Sequence, residues 1–181
     1  MNSDGVQTVD QEGGNVPDIP QTALVPEVEA KNGIASVFVE EVQINELLAR
    51  SGSENANAVV IAPRVAGQAD RVIVELDRLT ALNIVDKAAA NLIVKTDIAS
   101  VTIPPGILSQ IVGMEGTKIG FSVEKTTGDA VKIGITMDEK SIQGIEGVKI
   151  AVPWQGASEG LVPVIVHVDG TEEVIRKSIL E

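Results

Sequence analysis

The chain has 181 residues, a formal net charge of −12 and no cysteine. Its length suits one ordinary domain, or one domain with a tail, rather than two large independent cores. The acidic balance argues against nucleic acid as a partner, because phosphate binding needs clustered Lys and Arg, and the lack of cysteine excludes disulfides, thiol nucleophiles and zinc–thiolate sites. No apolar run reaches the roughly 18 residues needed to cross a bilayer, so no membrane insertion is expected.

The N-terminal segment differs in composition from the rest of the chain. Residues 1–30 contain six acidic side chains, three prolines and no Lys or Arg. Such a segment buries too little apolar area to offset the entropy of ordering, so it is predicted to be a linker or a disordered lead-in. A single domain is predicted to follow at 31–181. Because a residue before proline favours extended backbone, the Val-Pro and Ile-Pro pairs could instead add an edge strand.

From residue 31 onward the sequence predicts three diverged copies of one unit, in which a short helix lies between two strands. In the first copy, strands at 37–39 and 58–61 flank EEVQINELLARSG, a segment of good helix formers. Its apolar residues form only a rough helical face. The helix prediction therefore also depends on Gly52 as a stop signal.

The second copy contains a clearer helix. Strands at 72–74 and 92–94 flank ELDRLTALNIVDKA, in which Asp77 stands where an N-cap would accept the first free amides. The apolar stripe of an amphipathic helix is indicated by Leu76, Leu79, Leu82 and Ile84.

The third copy is predicted from strands at 101–103 and 119–123. Pro105 lies between them and suits the first turn of a helix, where its missing amide hydrogen costs nothing. Residues 131–137 then alternate between apolar and small or polar side chains. This period of two is typical of a half-buried antiparallel strand.

The C-terminal part is predicted to be plain β structure. Strands are expected at 148–152 and 162–168, and Asp169-Gly170 favours a tight turn into another strand at 173–177. The predicted fold class is therefore α+β and mainly β, with repeated strand–short helix–strand units followed by antiparallel strands and a hairpin.

Several of these strings also recur in a known order. ANLIVKTDIASVTIPPGIL, KIGFSVEK and GVKIAVPWQGASEG, followed by PVIVHVDGTEEVI, belong to a stretch that covers residues 31 to 181. This stretch resembles an uncharacterised extracellular module found beside S-layer homology repeats in Gram-positive bacterial surface proteins. The resemblance implies a non-catalytic spacer or adhesion module outside the cell, associated with the cell wall or S-layer. Its partners would be the neighbouring domains of the same surface protein.

Two departures from that family bear on the sheet edges. Members usually carry tyrosine where this chain has Trp154, and they usually continue into a closing strand where this chain stops at Glu181. An uncovered edge invites pairing with another chain. We therefore expect either that the closing strand lies beyond residue 181 or that another segment, such as residues 20–30, covers this edge; an edge left open predicts self-association.

Signatures of enzymes and metal sites are sparse. His167 alternates with valines in a predicted strand, which favours a surface or edge position over a general base. No catalytic, cofactor-binding or metal-binding residue is therefore expected, and acids such as Asp97 and Asp129 are too isolated in sequence for a calcium loop. The adjacent acids are interpreted as solvated charges at strand ends: Glu40-Glu41, Asp138-Glu139 and Glu172-Glu173.

Aromatic side chains are limited to Phe38, Phe121 and Trp154. Sugar sites use aromatic faces, and we expect only Trp154 to offer one without depleting the core. Trp154 would either cover one end of the core or stack on a sugar ring. The second possibility keeps open an alternative function as a carbohydrate-binding module of a polysaccharide-degrading or wall-anchored protein, with cell-wall or plant polysaccharide as its partner.

Overall fold

The computed structural model describes residues 22–50, 58–127 and 130–153, and also the backbone of two short strands at 164–166 and 172–174. The fold of these residues is α+β and mainly β, as predicted. The elements, in chain order, are β1 (Thr22–Leu24), β2 (Glu27–Glu29), β3 (Ile34–Val39), α1 (Glu41–Arg50), β4 (Ala58–Ile61), β5 (Arg64–Ala66), β6 (Arg71–Asp77), α2 (Arg78–Ala88), β7 (Asn91–Lys95), β8 (Ser100–Ile103), α3 (Pro105–Val112), β9 (Lys118–Lys125), β10 (Val131–Met137), β11 (Lys140–Ser141), β12 (Lys149–Ala151), β13 (Val164–Val166) and β14 (Glu172–Val174).

The helices in the described residues begin and end for local reasons. Pro105 occupies the first turn of α3, as predicted. Ala89 ends α2 in left-handed backbone with a φ of 45°, and its N–H donates to the Val85 carbonyl. None of these helices is long and apolar enough to cross a membrane.

One five-stranded sheet, which we call sheet 1, has the order β1-β4-β7-β8-β12. β1, β4 and β7 are parallel to one another, whereas β8 and then β12 pair in antiparallel fashion. All four residues of β4 are buried. A parallel strand covered on both faces is expected to have such a continuous apolar run.

A second five-stranded sheet, which we call sheet 2, has the order β11-β10-β9-β6-β3. β3 and β6 are parallel, and the other neighbours are antiparallel. The prediction for residues 131–137 is confirmed, because β10 pairs antiparallel with β9 over its whole length and is only half buried.

Each helix connects a strand of one sheet to a strand of the other. α1 and α2 run from sheet 2 to sheet 1, and α3 runs back from β8 to β9. α2 packs against both α1 and α3. The helices and the inner faces of both sheets therefore share one core. Its largest fully buried side chains include Ile44, Ile61, Leu76, Ile84, Leu92, Ile103, Leu108, Ile111, Ile119 and Phe121.

Two strands lie in the segment that was predicted to be a lead-in. β1 pairs in parallel with β4, and β2 pairs in parallel with β5. The predicted boundary at residue 31 is thus too late for residues 22–29, and β1 is the added edge strand that the proline pairs allowed. The acidic composition suggested too little burial, but Leu24 packs against the core and the β ladders supply further stabilisation. Residues 1–21 lie outside the described part.

The apolar stripe predicted for the second helix is wrong, because its two leucines point away from the core. Thr80, Ala81 and Ile84 are the buried side chains of α2, whereas Leu79 is 65% exposed and Leu82 is 36% exposed. Leu76 is buried, but it belongs to β6. The helix begins at Arg78, directly after β6, so Leu76 precedes its first turn. Asp77 is the N-cap residue, although its side chain makes no capping hydrogen bond.

The C-terminal hairpin is confirmed in its two strands. β13 and β14 are antiparallel, with Val164 opposite Val174. They belong to a unit of the chain other than Asp18–Pro153. The predicted turn at Asp169-Gly170 lies outside the described residues, as does the helix stop predicted at Gly52.

Candidate functional site

The outer face of sheet 2 is the candidate site. Along each of its strands, alternate side chains are buried in the core, and the others point away from it. The outer face comprises Ile34, Ser36 and Phe38 of β3, Arg71, Ile73 and Glu75 of β6, Lys118, Gly120, Ser122 and Glu124 of β9, and Lys132, Gly134 and Thr136 of β10.

Strand register arranges these residues in rows across the sheet. The first row is Phe38, Glu75, Gly120 and Thr136, which are successive partners on four neighbouring strands. Three interstrand spacings of about 4.8 Å give this row a length of about 14 Å. The next row is Ser36, Ile73, Ser122 and Gly134.

Phe38 lies on this face rather than in the core. It is 41% exposed, although the sequence analysis assigned surface aromatic contacts to Trp154 alone. The Lys118 Nζ lies 5.7 Å from the centre of its ring and 4.0 Å from Glu75 Oε2. A cation at this distance stabilises an exposed ring by about 0.5–1 kcal/mol. Lys118 therefore holds the aromatic ring and the carboxylate together at one end of the first row.

Gly120 and Gly134 keep part of the outer face free of large side chains. A Cβ at Gly120 would lie 2.5 Å from Thr136 Oγ1, and a Cβ at Gly134 would lie 2.5 Å from Ser122 Oγ. Each hydroxyl thus occupies the space that a larger residue on the neighbouring strand would need. Thr136 Oγ1 also donates to the Gly120 carbonyl over 3.5 Å. The result is a low floor of backbone and hydroxyl groups beside the Phe38 ring.

The charges on this face differ from those of the whole chain. The outer face carries three cationic side chains and two acidic ones, whereas the chain as a whole carries a net charge of −12. The cationic residues are Arg71, Lys118 and Lys132, and the acidic residues are Glu75 and Glu124. In the last row, Arg71 lies opposite Glu124, and Glu124 lies opposite Lys132. The Arg71 Nε is buried and has no hydrogen-bond partner. The face therefore combines an aromatic ring, hydroxyl groups and charged side chains of both signs.

Two of the predicted acidic pairs have structural roles in the described residues. Asp138 and Glu139 form the turn between β10 and β11 with positive φ angles of 47° and 67°. The Asp138 carboxylate accepts hydrogen bonds from Lys118 N–H, Thr117 N–H and the Thr117 hydroxyl. These donors lower the pKa of Asp138, with the Lys118 amide contributing most. Glu41 accepts a hydrogen bond from Asn83 Nδ2 at 2.8 Å, which joins α1 to α2.

The other predicted site residues are not placed. Trp154 and His167 lie outside the described residues, and only the backbone of Glu172 and Glu173 is described. Within the described part, no group of three or more His, Cys, Asp or Glu side chains could hold a metal ion.

The fold and the site define a mainly β, α+β domain that presents a low, mixed polar and apolar sheet face with one exposed phenylalanine. Such a face can hold a ligand by stacking, hydrogen bonds and ion pairing. Comparisons with protein families, curated proteins and solved structures found no match to the chain.

Proposed function

We propose that the protein is a non-catalytic adhesion or spacer module of an extracellular bacterial surface protein, associated with the cell wall or S-layer. The outer face of sheet 2 is its contact surface in this proposal, and neighbouring domains of the same surface protein are its other partners. The order of sequence strings over residues 31–181 supports the class of protein. The exposed Phe38, held beside the Lys118–Glu75 pair, is the observation that supports the contact surface.

The exposed Phe38 ring can contribute free energy of binding to a ligand that covers it. Phe38 lies in the same strand as the buried Val39, so its side chain is excluded from the core by strand alternation and not by lack of space. Burial of a phenylalanine contributes about 1.5–3 kcal/mol. A ligand that covers the ring gains part of this free energy on binding, and the adjacent hydroxyls supply directional hydrogen bonds.

Surface location is tested on intact cells of the source organism. An antibody against the domain should label intact cells, and added protease should remove the label. Labelling that needs lysis of the cells would refute the extracellular assignment.

Carbohydrate binding is the second candidate, and the first row of the outer face favours it. Aromatic rings stack on the apolar faces of sugar rings, and the row places Glu75 and Thr136 within the same line of about 14 Å. That length accommodates a short oligosaccharide. Phe38 thereby takes the role that the sequence analysis gave to Trp154.

Calorimetry and affinity electrophoresis against xylan, β-glucan and peptidoglycan test this candidate. Stacking contributes about 1–3 kcal/mol per ring, so Phe38→Ala should weaken binding by about 5- to 150-fold. Ile34→Ala is the matched control, because Ile34 lies on the same strand and face and is 42% exposed. No binding to any of the three polymers, or equal loss in both variants, would reject the carbohydrate candidate and leave the adhesion proposal to the cell-surface experiment.

We also propose that the three strand–helix–strand connections are diverged copies of one unit. The first two run in the same sense, from β3 through α1 to β4 and from β6 through α2 to β7, which supports this origin. Superposition of these two units in an experimental structure is the test. Different helix directions relative to the strands would contradict it.

A further inference from the structure

The helices present a second surface, on the side opposite the core. On α2 the residues that face away from the core are Leu79, Leu82 and Asp86, which recur at helical spacing. On α1 they are Val42, Glu46 and Ala49. We call these six residues the outer helical face.

This face carries both leucines of α2, whereas Ile84 lies on the core side. Leu79 is 65% exposed and Leu82 is 36% exposed, while the core side of the same helix carries the smaller Thr80 and Ala81, both fully buried. Val42 is 54% exposed on the neighbouring helix. A helix stabilised only by its own core would place leucine inward and threonine outward. The arrangement leaves exposed apolar side chains on both helices for another molecule.

Polar contacts hold the two helices in a fixed relation. Asn83 Nδ2 donates to Glu41 Oε1 at 2.8 Å, and Lys87 Nζ donates to Asn45 Oδ1 at 2.9 Å. The partners are four residues apart on each helix, so the two bonds lie one turn apart and the helices run in parallel. Val42 and Leu82 therefore border the same polar seam, from opposite helices.

A shallow, open depression along α1 adds negative charge to this surface. Its volume is about 660 Å³. Arg50 lies 3.7 Å from Glu46, but both side chains are more than 60% exposed, so this ion pair is well screened by water. The lining residues are Glu40, Glu41, Val42, Asn45, Glu46 and Ala49.

We propose that the outer helical face docks an amphipathic helix of a partner protein, one that carries Lys or Arg beside its apolar anchors. Such helices bind apolar grooves through residues at i, i+3, i+4 and i+7. The carboxylates of α1 complement a cationic flank. A second copy of this chain is a poor occupant of this surface, because Glu46 and Asp86 would lie against the same carboxylates of the other copy.

Fluorescence anisotropy with a designed peptide tests the proposal. The probe is a labelled Leu/Lys peptide of about 18 residues with leucine at helical spacing, and the control peptide has the same composition in scrambled order. The full chain should bind the amphipathic peptide about tenfold more tightly than the scrambled one.

Variants of the protein locate the binding surface. Leu79→Ala combined with Leu82→Ala should weaken peptide binding about tenfold, and Glu40→Gln combined with Glu46→Gln should reduce its dependence on salt. Phe38→Ala is the control on the outer face of sheet 2 and should leave peptide binding unchanged. All of these side chains are exposed, so each variant should keep its circular dichroism spectrum and a cooperative thermal melt, and Phe38→Ala should lose at most about 1 kcal/mol through its contact with Lys118.

Three results would overturn the proposal. Equal affinity for the scrambled peptide would show that only net charge matters. Full binding by the leucine variant would place the peptide elsewhere. A dimer in light scattering that the leucine variant converts to a monomer would assign the surface to a second copy of the chain.

Discussion

Substitution of Thr80 measures how much a buried hydroxyl group lowers the stability of this core. Its side chain is fully buried on α2, and Oγ1 has no hydrogen-bond partner. An unpaired hydroxyl in apolar surroundings costs about 1–3 kcal/mol. Valine has nearly the same shape and a similar helix propensity. We therefore expect Thr80→Val to raise the free energy of unfolding by about 1–2 kcal/mol.

Urea denaturation followed by circular dichroism measures this change. The m-value should stay constant, because the surface exposed on unfolding is the same, and the melting temperature should rise by about 2–4 °C per kcal/mol. Thr80→Ser is the matched control: it keeps the hydroxyl, removes one methyl group and should lower stability by about 1 kcal/mol. A Thr80→Val protein that is less stable than the wild type would refute the reasoning, since it would mean that the hydroxyl has a partner.

Three further predictions concern other parts of the fold. Hydrogen bonds lower the pKa of Asp138 from its ordinary 3.8, so the stability that its ionised form contributes is complete above that value and is lost as pH falls through the lower folded pKa. Asp138→Asn should thus be less stable than the wild type at pH 7, and urea titrations should show this difference shrinking below about pH 4; a difference independent of pH would contradict the assignment. Gly120→Ala should cost about 1–2 kcal/mol through collision with the Thr136 hydroxyl, and a second change, Thr136→Ala, should recover most of it in a double-mutant cycle. Within the described residues β12 is an edge strand; Ile150 in this strand is 42% exposed, and Val152 just after it is 47% exposed. Light scattering should therefore show a dimer that Ile150→Lys disrupts, whereas a monomeric wild type would count against edge pairing.

Local patterns predicted the order of most elements. The Val and Ile runs gave the positions of β4, β7 and β10 within a residue or so, because their side chains are buried in the way that each run requires. Pro105 gave the start of α3. The pairing of β1 with β4 was beyond such patterns, since the partner is more than 30 residues away and the acidic composition of the segment favours disorder.

The residues of the candidate site were also hard to predict, because several distant strands bring them together. Phe38 and Phe121 both stand in apolar strand patterns, so residue type alone does not show which of them points outward. The alternation of Ser36 and Phe38 with Ala35 and Val39 did carry a signal. A small alanine and a valine on one side of the strand are consistent with an inward face, and this would have placed the ring outside.

The two outermost strands of sheet 1 point in the same direction. β1 is parallel to β4 and β7, and the two antiparallel steps through β8 return β12 to that direction. β1 lies near the start of Asp18–Pro153 and β12 near its end. Tension applied between these ends therefore has a component along the strands, which loads their hydrogen bonds in shear. In that component the three residue pairs of the β1–β4 ladder, and likewise those of the β8–β12 ladder, share the force and do not open one pair at a time.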